Sequence, residues 1–274
     1  MKILQKQTRD NGDPLFRFFA REGNVGRRLL VQVRKDLRDV IKVCEGILKQ
    51  TNHLRNLMSH LTKGIRIYES LQHRTNLFKG TIPDHWRRYK VTRTTAVSEW
   101  IPNLGRRLAQ LEQIAQRESL NDVEVWLGGL FYPEAYVTAT RQAVAHRKKW
   151  SLETLDLRLD LEQIQDPEAF IVDGEILDST TSFMTYVMSG LILEGAAYSS
   201  NRLSLNSGQS VRLGPSQLRW VQVEPSDNAQ NTSVNLPVYL NTDRSDVLFT
   251  VNLPFEGVGS NLVAMRAVCL TAGG

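Results

Sequence analysis

Cysteine is scarce in this sequence, which contains only Cys44 and Cys269, one in each half. Two distant cysteines provide no disulfide framework and are typical of a reducing, intracellular compartment. No apolar run approaches the roughly 20 residues that a membrane-spanning helix needs. The opening stretch, residues 1–12, also lacks the apolar core of a signal peptide. The sequence therefore predicts a soluble intracellular chain with no membrane partner.

The sequence also lacks the short motifs that bind nucleotides and metals. It contains no G-x-x-x-x-G-K-[ST] loop, no G-x-G-x-x-G, no H-E-x-x-H and no C-x-x-C. The nearest candidate for a phosphate loop, residues 190–195, has no lysine and lies in a predicted strand. His53 and His60 could share a helix face, but we favour a solvated pair over a metal site. We predict no catalytic residue, no cofactor site and no metal site in the sequence.

Two groups of charged residues in the C-terminal half are interpreted as ion pairs. Glu194, in the segment L-E-G-A, is expected to form a buried or interface ion pair. Residues 243–246 read D-R-S-D, which predicts a charged hairpin turn with a local ion pair. Neither group is expected to act as a general base.

Charge is unevenly distributed along the sequence. The first 90 residues hold 20 Lys/Arg and 8 Asp/Glu, a net charge of +12, whereas the remainder holds 14 and 21, a net charge of −7. A basic half could face nucleic acid, an acidic protein surface or solvent. Because no RGG tract, RNP-type aromatic motif or zinc-finger spacing accompanies it, we predict no nucleic-acid partner.

The N-terminal half has the pattern of helices. Asp13-Pro14 is a good helix start, and Gly23 and Gly26 are potential interruptions after it. An apolar seam in steps of three and four then continues to Tyr68 and predicts one long helix, about 60 Å at 1.5 Å per residue. Before Ile65 and Tyr68 the apolar members of this seam are Leu30, Val33, Leu37, Val40, Cys44, Ile47, Leu54, Met58 and Leu61.

Two interpretations of this seam remain open: a coiled coil between two copies, and a helix packed along neighbouring helices or a larger partner. Extra apolar residues beside the seam, such as Leu29 and Ile41, widen the stripe beyond that of a two-stranded coiled coil. Packing within a larger body is therefore favoured. Cys44, on this seam, is expected to be a core residue.

Residues 125–142 connect the helical half to the rest of the sequence. After a helix predicted over residues 97–117, this stretch combines a buried-looking apolar run, a double glycine and an aromatic–proline turn. Proline suits the first turn of a helix, and glycine permits close backbone approach or positive φ. We interpret the stretch as a structural joint, formed by Trp126, Gly128, Gly129, Phe131, Tyr132 and Pro133.

The period of the apolar residues changes to two after residue 150. Residues 155–161 read L-D-L-R-L-D-L, which is typical of a strand with one solvated face. Further strands are predicted over residues 183–198, 202–205, 218–223, 234–240, 247–253 and 263–270. About six short strands without intervening helices predict a small antiparallel barrel or sandwich, so the whole protein is of the α+β class.

Several segments resemble the C-terminal region of dynein heavy chains, in the order that the family has them. W-L-G-G-L-F-Y-P-E-A-Y-V-T-A-T-R-Q, beginning at Trp126, carries the family's aromatic–proline turn and Thr-Ala helix. The other matching segments are V-R-K-D-L-R-D-V-I-K-V-C-E-G, Q-T-N-H-L-R-N-L-M, I-P-D-H-W, G-L-I-L-E-G-A-A-Y, L-P-V-Y-L-N-T-D-R-S-D and R-A-V-C-L. The V-C-E-G and Q-T-N forms are more similar to cytoplasmic than to axonemal heavy chains. Residues 65–80 look inserted, and the final T-A-G-G matches no family tail.

The resemblance implies three parts of a motor protein. Residues 1–95 would hold the end of the last AAA+ module and the long helix, 96–150 the helical part of the C-terminal cap, and 151–274 its β-barrel. ATP and Mg²⁺ would bind only in upstream modules. The implied partners are those upstream AAA+ modules, microtubules, a second heavy chain, and the intermediate, light intermediate and light chains. The implied location is the cytoplasm, on the microtubule cytoskeleton.

On this resemblance the protein would be a non-catalytic cap that tunes the motor, and the seam from Leu30 to Leu61 would be its ring-docking surface. A free-standing scaffold or oligomerisation protein that uses the same seam is the alternative. A basic nucleic-acid-binding module is the less favoured one.

Overall fold

Helices predominate in the first 150 residues and strands in the remainder, which confirms the α+β class. The computed structural model describes residues 12–62, 80–89, 96–117, 119–120, 123–161, 185–199, 202–222, 233–254 and 269–272. Of these, residues 19–115 form one compact unit, called here the helical unit, and residues 12–18 with 116–272 form the sheet unit. No helix among the described residues is long and apolar enough to cross a membrane. The three-part division expected from the resemblance stays a prediction.

Helix α1 spans Pro14–Cys44 and is continuous through Gly23 and Gly26. The expected interruption is therefore wrong. A glycine inside a helix costs about 1 kcal/mol relative to alanine, and both glycines lie on the buried side of this helix, where packing supports it. Buried apolar residues of this side are Leu15, Phe18, Phe19, Val25, Leu29 and Val33.

The single long helix predicted from the apolar seam is also wrong, because α1 ends at Cys44 and α2 spans Asn52–Thr62. Gly46 has φ +74°, and its N–H donates to the Val43 carbonyl at 3.1 Å. The next N–H, of Ile47, donates to the Lys42 carbonyl at 2.9 Å. This pair of bonds is a Schellman ending, which satisfies the last carbonyls of α1.

The start of α2 has its own cap. The Thr51 hydroxyl accepts a hydrogen bond from the Leu54 N–H at 3.3 Å, as expected of a threonine before the first helical turn. Local capping thus divides a seam whose steps of three and four continue across this boundary, with Thr51 as its one polar member. Ile65 and Tyr68, the last members of the predicted seam, lie outside the described residues.

Elsewhere in the helical unit the structure describes a short 3₁₀ helix, Asp84–Trp86, and helix α3, Val97–Ala115. The predicted helix over residues 97–117 is thus confirmed.

The core of the helical unit contains a stack of aromatic rings. Trp100 lies 5.6 Å from Trp86 and 5.9 Å from Tyr89 between ring centroids, with interplanar angles of 18° and 8°. Arg107 places its guanidinium 4.0 Å from the centre of the Tyr89 ring.

Within the described residues, the sheet unit contains helix α4, Pro133–Lys148, and nine strands. The strands are β1 Glu124–Trp126, β2 Leu155–Asp160, β3 Thr185–Ser189, β4 Ile192–Ser199, β5 Arg202–Arg212, β6 Ser216–Gln222, β7 Ser233–Tyr239, β8 Val247–Pro254 and β9 Cys269–Thr271. They are paired in the order β1-β3-β6-β2-β8-β7-β9-β4-β5. Only the pair Arg158–Asn252 joins β2 to β8, so the order divides into four strands and five.

The predicted antiparallel barrel or sandwich of about six strands differs from the observed sheet in three respects. Nine strands are described, and they form no closed barrel within the described ranges. Three pairs, β1–β3, β2–β8 and β7–β9, are parallel. One predicted strand, 183–198, is two strands, because Gly190 between them has φ +82°, which favours glycine. Pairing direction depends on distant partners, so alternation within one segment does not predict it.

Candidate docking surface and structural joint

The predicted joint brings backbone segments of the sheet unit into very close contact. A Cβ atom on Gly128 would lie 2.0 Å from the Ala272 carbonyl oxygen, so no side chain fits there. A Cβ atom on Gly190 would lie 2.4 Å from the Trp126 ring. The double glycine thus does allow close approach, as its sequence indicated. Ala272, which contacts Gly128, and Gly190, which contacts Trp126, could not be identified from the sequence because they are distant from the joint in number.

Helix α4 follows the joint and begins at Pro133, as predicted. Of the joint residues, Gly128, Gly129, Phe131 and Pro133 are buried, Trp126 is half-buried and Tyr132 is exposed. Farther along α4, Tyr136 packs against Phe18, with 5.7 Å between ring centroids. The buried Thr140 hydroxyl accepts a hydrogen bond from the Trp220 indole at 3.0 Å. The helix and the sheet therefore share one core.

Glu194 forms the ion pair that its sequence predicted. Its carboxylate accepts a hydrogen bond from Arg244 at 3.0 Å, and the Cys269 thiol donates to the same oxygen at 3.7 Å. Arg244 lies in the turn between β7 and β8 with φ +57°. The salt bridge between Arg244 and Glu194 therefore connects this turn to β4. Within the turn, the Asp243 carboxylate accepts a hydrogen bond from the Ser245 N–H at 3.2 Å.

The two cysteines differ sharply in environment. Cys44 is exposed, so the expectation that it is a core residue is wrong: the helix ends there. Cys269 is buried, and burial raises the pKa of its thiol to about 11 although Arg244 acts in the opposite direction. We expect a thiol reagent at neutral pH to modify Cys44 rapidly and Cys269 only on unfolding, because the thiolate is the nucleophile. Cys44→Ser should abolish the rapid phase. Two rapid thiols, counted by mass spectrometry, would contradict this description.

The seam residues proposed to dock on a ring are not equally accessible. Val33 and Leu54 are buried within the helical unit. Five others, Leu30, Leu37, Val40, Met58 and Leu61, are half-buried, and Cys44 and Ile47 are exposed. In this part of α1 the buried residues are Leu29, Val33 and Asp36. Val33 therefore lies on the buried face, and the half-buried seam residues Leu30, Leu37 and Val40 lie along its edge.

An exposed apolar and basic surface surrounds the end of α1. Its apolar members are Val31, Ile41, Ile47 and Leu48, which are 58%, 55%, 71% and 38% exposed. Basic residues that are also exposed lie among them, namely Arg34, Lys35, Arg38 and Lys42. These eight residues are called the distal α1 surface below. Large apolar groups at such exposure are candidates for contact with another protein surface.

A polar cluster lies within the helical unit around the buried Asp36. Its carboxylate accepts hydrogen bonds from the Trp86 indole at 2.7 Å and the Gln32 amide at 2.9 Å, and contacts the His85 Nε2 at 2.7 Å. His53 Nε2 stands 3.6 Å away. Burial alone would raise the pKa of Asp36, but the hydrogen bonds from Trp86, His85 and Gln32 outweigh it and hold the pKa below its ordinary value.

The sequence of this protein matches a known protein family over almost its whole length. The protein belongs to the family of C-terminal domains of dynein heavy chains, which matches residues 1–272. It is 36% identical over 259 residues to the cytoplasmic dynein heavy chain of Drosophila melanogaster, and the match covers 92% of the present sequence and 5% of that protein. The corresponding protein of Dictyostelium discoideum is 33% identical over 257 residues, covering 93% and 5%. That of Caenorhabditis elegans is 34% identical over 272 residues, covering 98% and 5%. The present sequence thus spans about a twentieth of the length of these relatives.

Proposed function

We propose that this protein is a non-catalytic regulatory cap of a cytoplasmic dynein heavy chain. In this proposal it packs on the AAA+ ring of its own heavy chain and tunes ATP-driven, minus-end-directed movement along microtubules, in processivity, force or coupling between modules. ATP and Mg²⁺ bind upstream modules only. The second heavy chain and the intermediate, light intermediate and light chains are partners of the whole motor in the cytoplasm. The family membership and the absence of a phosphate-binding motif support this proposal.

The observation that carries the proposal is the distal α1 surface. Ile47, which is 71% exposed, stands just beyond the helix end with Leu48 beside it. Leaving apolar area in water costs about 25 cal/mol per Å², so a surface of this kind is stabilised by a partner. Since the relatives are about twenty times longer than the matched segment, the upstream part of the same heavy chain is the occupant we propose. The basic residues around the patch predict an acidic rim on that occupant.

Point variants test this proposal better than removal of the sheet. Truncation after Trp150 would delete Trp220 and expose the α4 core around Thr140, so its effect would include misfolding. Ile47→Asp changes only an exposed side chain and should leave the stability of the isolated protein within about 0.5 kcal/mol. The matched control is Val247→Asp, because Val247 is 55% exposed in the sheet unit and lies outside the distal α1 surface.

In a complete heavy chain, Ile47→Asp is expected to change run length, stall force or microtubule-stimulated ATPase rate several-fold. A coupling free energy of about 1–3 kcal/mol between the cap and the ring corresponds to such an effect. The measurement is single-molecule motility together with ATPase kinetics. The proposal fails if the Ile47→Asp motor equals both the wild type and the Val247→Asp motor in all three properties.

A scaffold that self-associates through the distal α1 surface is the second candidate, favoured by the same exposure of Ile47. In that case the isolated protein would form dimers at increasing concentration, and Ile47→Asp would abolish them. Sedimentation equilibrium of the wild type and the variant distinguishes the two functions. A monomer at all concentrations favours the cap.

A further inference from the structure

Three potential metal ligands meet in the helical unit, although they come from three separate elements. Asp36 lies on α1, His53 in the first turn of α2 and His85 in the 3₁₀ helix Asp84–Trp86. One ligand atom from each residue lies within 4.8 Å of the other two. The two imidazole rings stand 5.1 Å apart between centroids, at 57° to each other.

We propose that Asp36, His53 and His85 bind a divalent transition-metal ion of the zinc type, with one coordination position left for water or a further ligand. Imidazole nitrogen and carboxylate oxygen are ordinary ligands of Zn²⁺, and sites with three protein ligands and one open position are common. This inference does not depend on the function proposed above.

The distances fit an ion held between the three side chains. Ligands at about 2.0–2.2 Å from Zn²⁺ in a tetrahedron stand roughly 3.3 Å from one another. Asp36 Oδ2 lies 2.7 Å from His85 Nε2, and the other oxygen, Oδ1, lies 3.6 Å from His53 Nε2, so each histidine stands near that spacing from one oxygen of the carboxylate. The His53 contact is too long for a hydrogen bond. Both histidines nevertheless direct the same nitrogen, Nε2, to one carboxylate, as two ligands of one ion do.

The surroundings of Asp36 are those of a metal-binding carboxylate. Gln32 donates a hydrogen bond to Oδ1 and Trp86 donates one to Oδ2, so both carboxylate oxygens are fixed by hydrogen bonds. Trp86 is itself fixed by its stacking on Trp100. Hydrogen bonds of this kind orient metal ligands, and their loss typically lowers metal affinity about 10–100-fold.

The exposed position of His53 allows its side chain to move and bind the same ion as Asp36 and His85. Its side chain is 57% exposed, whereas that of Asp36 is 3% exposed. Because the three ligand atoms lie within 4.8 Å of one another, a movement of the His53 side chain by roughly 1–2 Å is enough to approach tetrahedral spacing. The exposed side of His53 also leaves room for a water molecule in the fourth position.

The test is titration of the 274-residue protein with Zn²⁺ in competition with a chromophoric chelator, in a Cys44→Ser background. This background removes the exposed thiol as a competing ligand. We expect one Zn²⁺ per molecule, a rise in Tm with added Zn²⁺, and tetrahedral absorption bands with Co²⁺. His53→Gln should weaken Zn²⁺ binding at least about 100-fold, more than loss of an outer partner. Gln32→Leu should weaken it about 10–100-fold.

His146→Gln is the matched control, since His146 is exposed on α4 in the sheet unit. It should leave Zn²⁺ binding and the Co²⁺ spectrum unchanged. Because His53 is mostly exposed, His53→Gln should keep the Tm of the metal-free protein, which separates loss of metal from loss of fold. The inference is overturned if the wild type binds no Zn²⁺ in the titration. It is equally overturned if wild type and His53→Gln bind Zn²⁺ with the same affinity.

Discussion

Trp100→Ala is expected to lower the free energy of unfolding of the helical unit by about 3–5 kcal/mol. Trp100 is fully buried and stacks on both Trp86 and Tyr89. Its removal therefore leaves a large cavity and ends two aromatic contacts, each worth about 0.5–1.5 kcal/mol beyond the buried area. Urea denaturation followed by far-UV circular dichroism measures the effect, since helices α1 to α3 dominate that signal.

Two phenylalanine variants serve as a matched pair for this prediction. The Trp100 indole N–H has no hydrogen-bond partner among the described residues, so Trp100→Phe loses packing area only. The Trp86 indole donates to the buried Asp36 carboxylate, and Trp86→Phe loses this bond as well. We expect Trp86→Phe to cost about 1.5–3 kcal/mol more than Trp100→Phe, the range for hydrogen bonds to charged groups. Equal losses would contradict the described role of Asp36.

Gly128→Ala is expected to destabilise the sheet unit by about 3 kcal/mol, the upper end of the range for overpacking. The added Cβ would lie 2.0 Å from the Ala272 carbonyl oxygen and 3.1 Å from the Trp126 indole nitrogen. The first of these atoms belongs to the backbone beside β9, so it cannot move away as a flexible side chain does. The joint must therefore open to accept the methyl group.

Cys269 reports this opening directly, because it is buried in β9 three residues before Ala272. In a Cys44→Ser background, its labelling rate measures the population of opened molecules. A loss of about 3 kcal/mol predicts a labelling rate roughly 100-fold higher, at tenfold per 1.4 kcal/mol. Gly105→Ala is the control, since no atom lies within 4 Å of its Cβ and alanine favours a helix interior. An unchanged labelling rate in Gly128→Ala would refute the close contact.

Sequence signals that act locally predicted the fold well. Pro133 starts α4, and the strict alternation of residues 155–161 corresponds to β2. Gly46 and Thr51 are typical signals of a helix end and a helix cap, and the structure uses them in this way. The prediction of one long helix followed instead from the apolar period, which runs across both helices. Capping chemistry decided the helix boundaries, whereas the period only indicated which side is apolar.

Contacts between distant segments could not be predicted from the sequence. His85 meets Asp36 across 49 positions, and Trp220 meets Thr140 across 80. A single histidine in I-P-D-H-W carries no sign of its partner, so the only histidine pair that the sequence suggested was His53 with His60. The parallel pairs of the sheet have the same origin, since strand direction is set by partners far along the sequence.

The size of the native polypeptide tests the central claim most directly, because a cap must be part of a heavy chain. An antibody against residues 151–274 can detect that polypeptide in extracts of the source cells. If the protein is such a cap, the band is roughly twenty times larger than the 31.1 kDa of the present sequence, since the matched segments make up 5% of the relatives. A native polypeptide of about 31 kDa would contradict the cap and favour an independent scaffold protein.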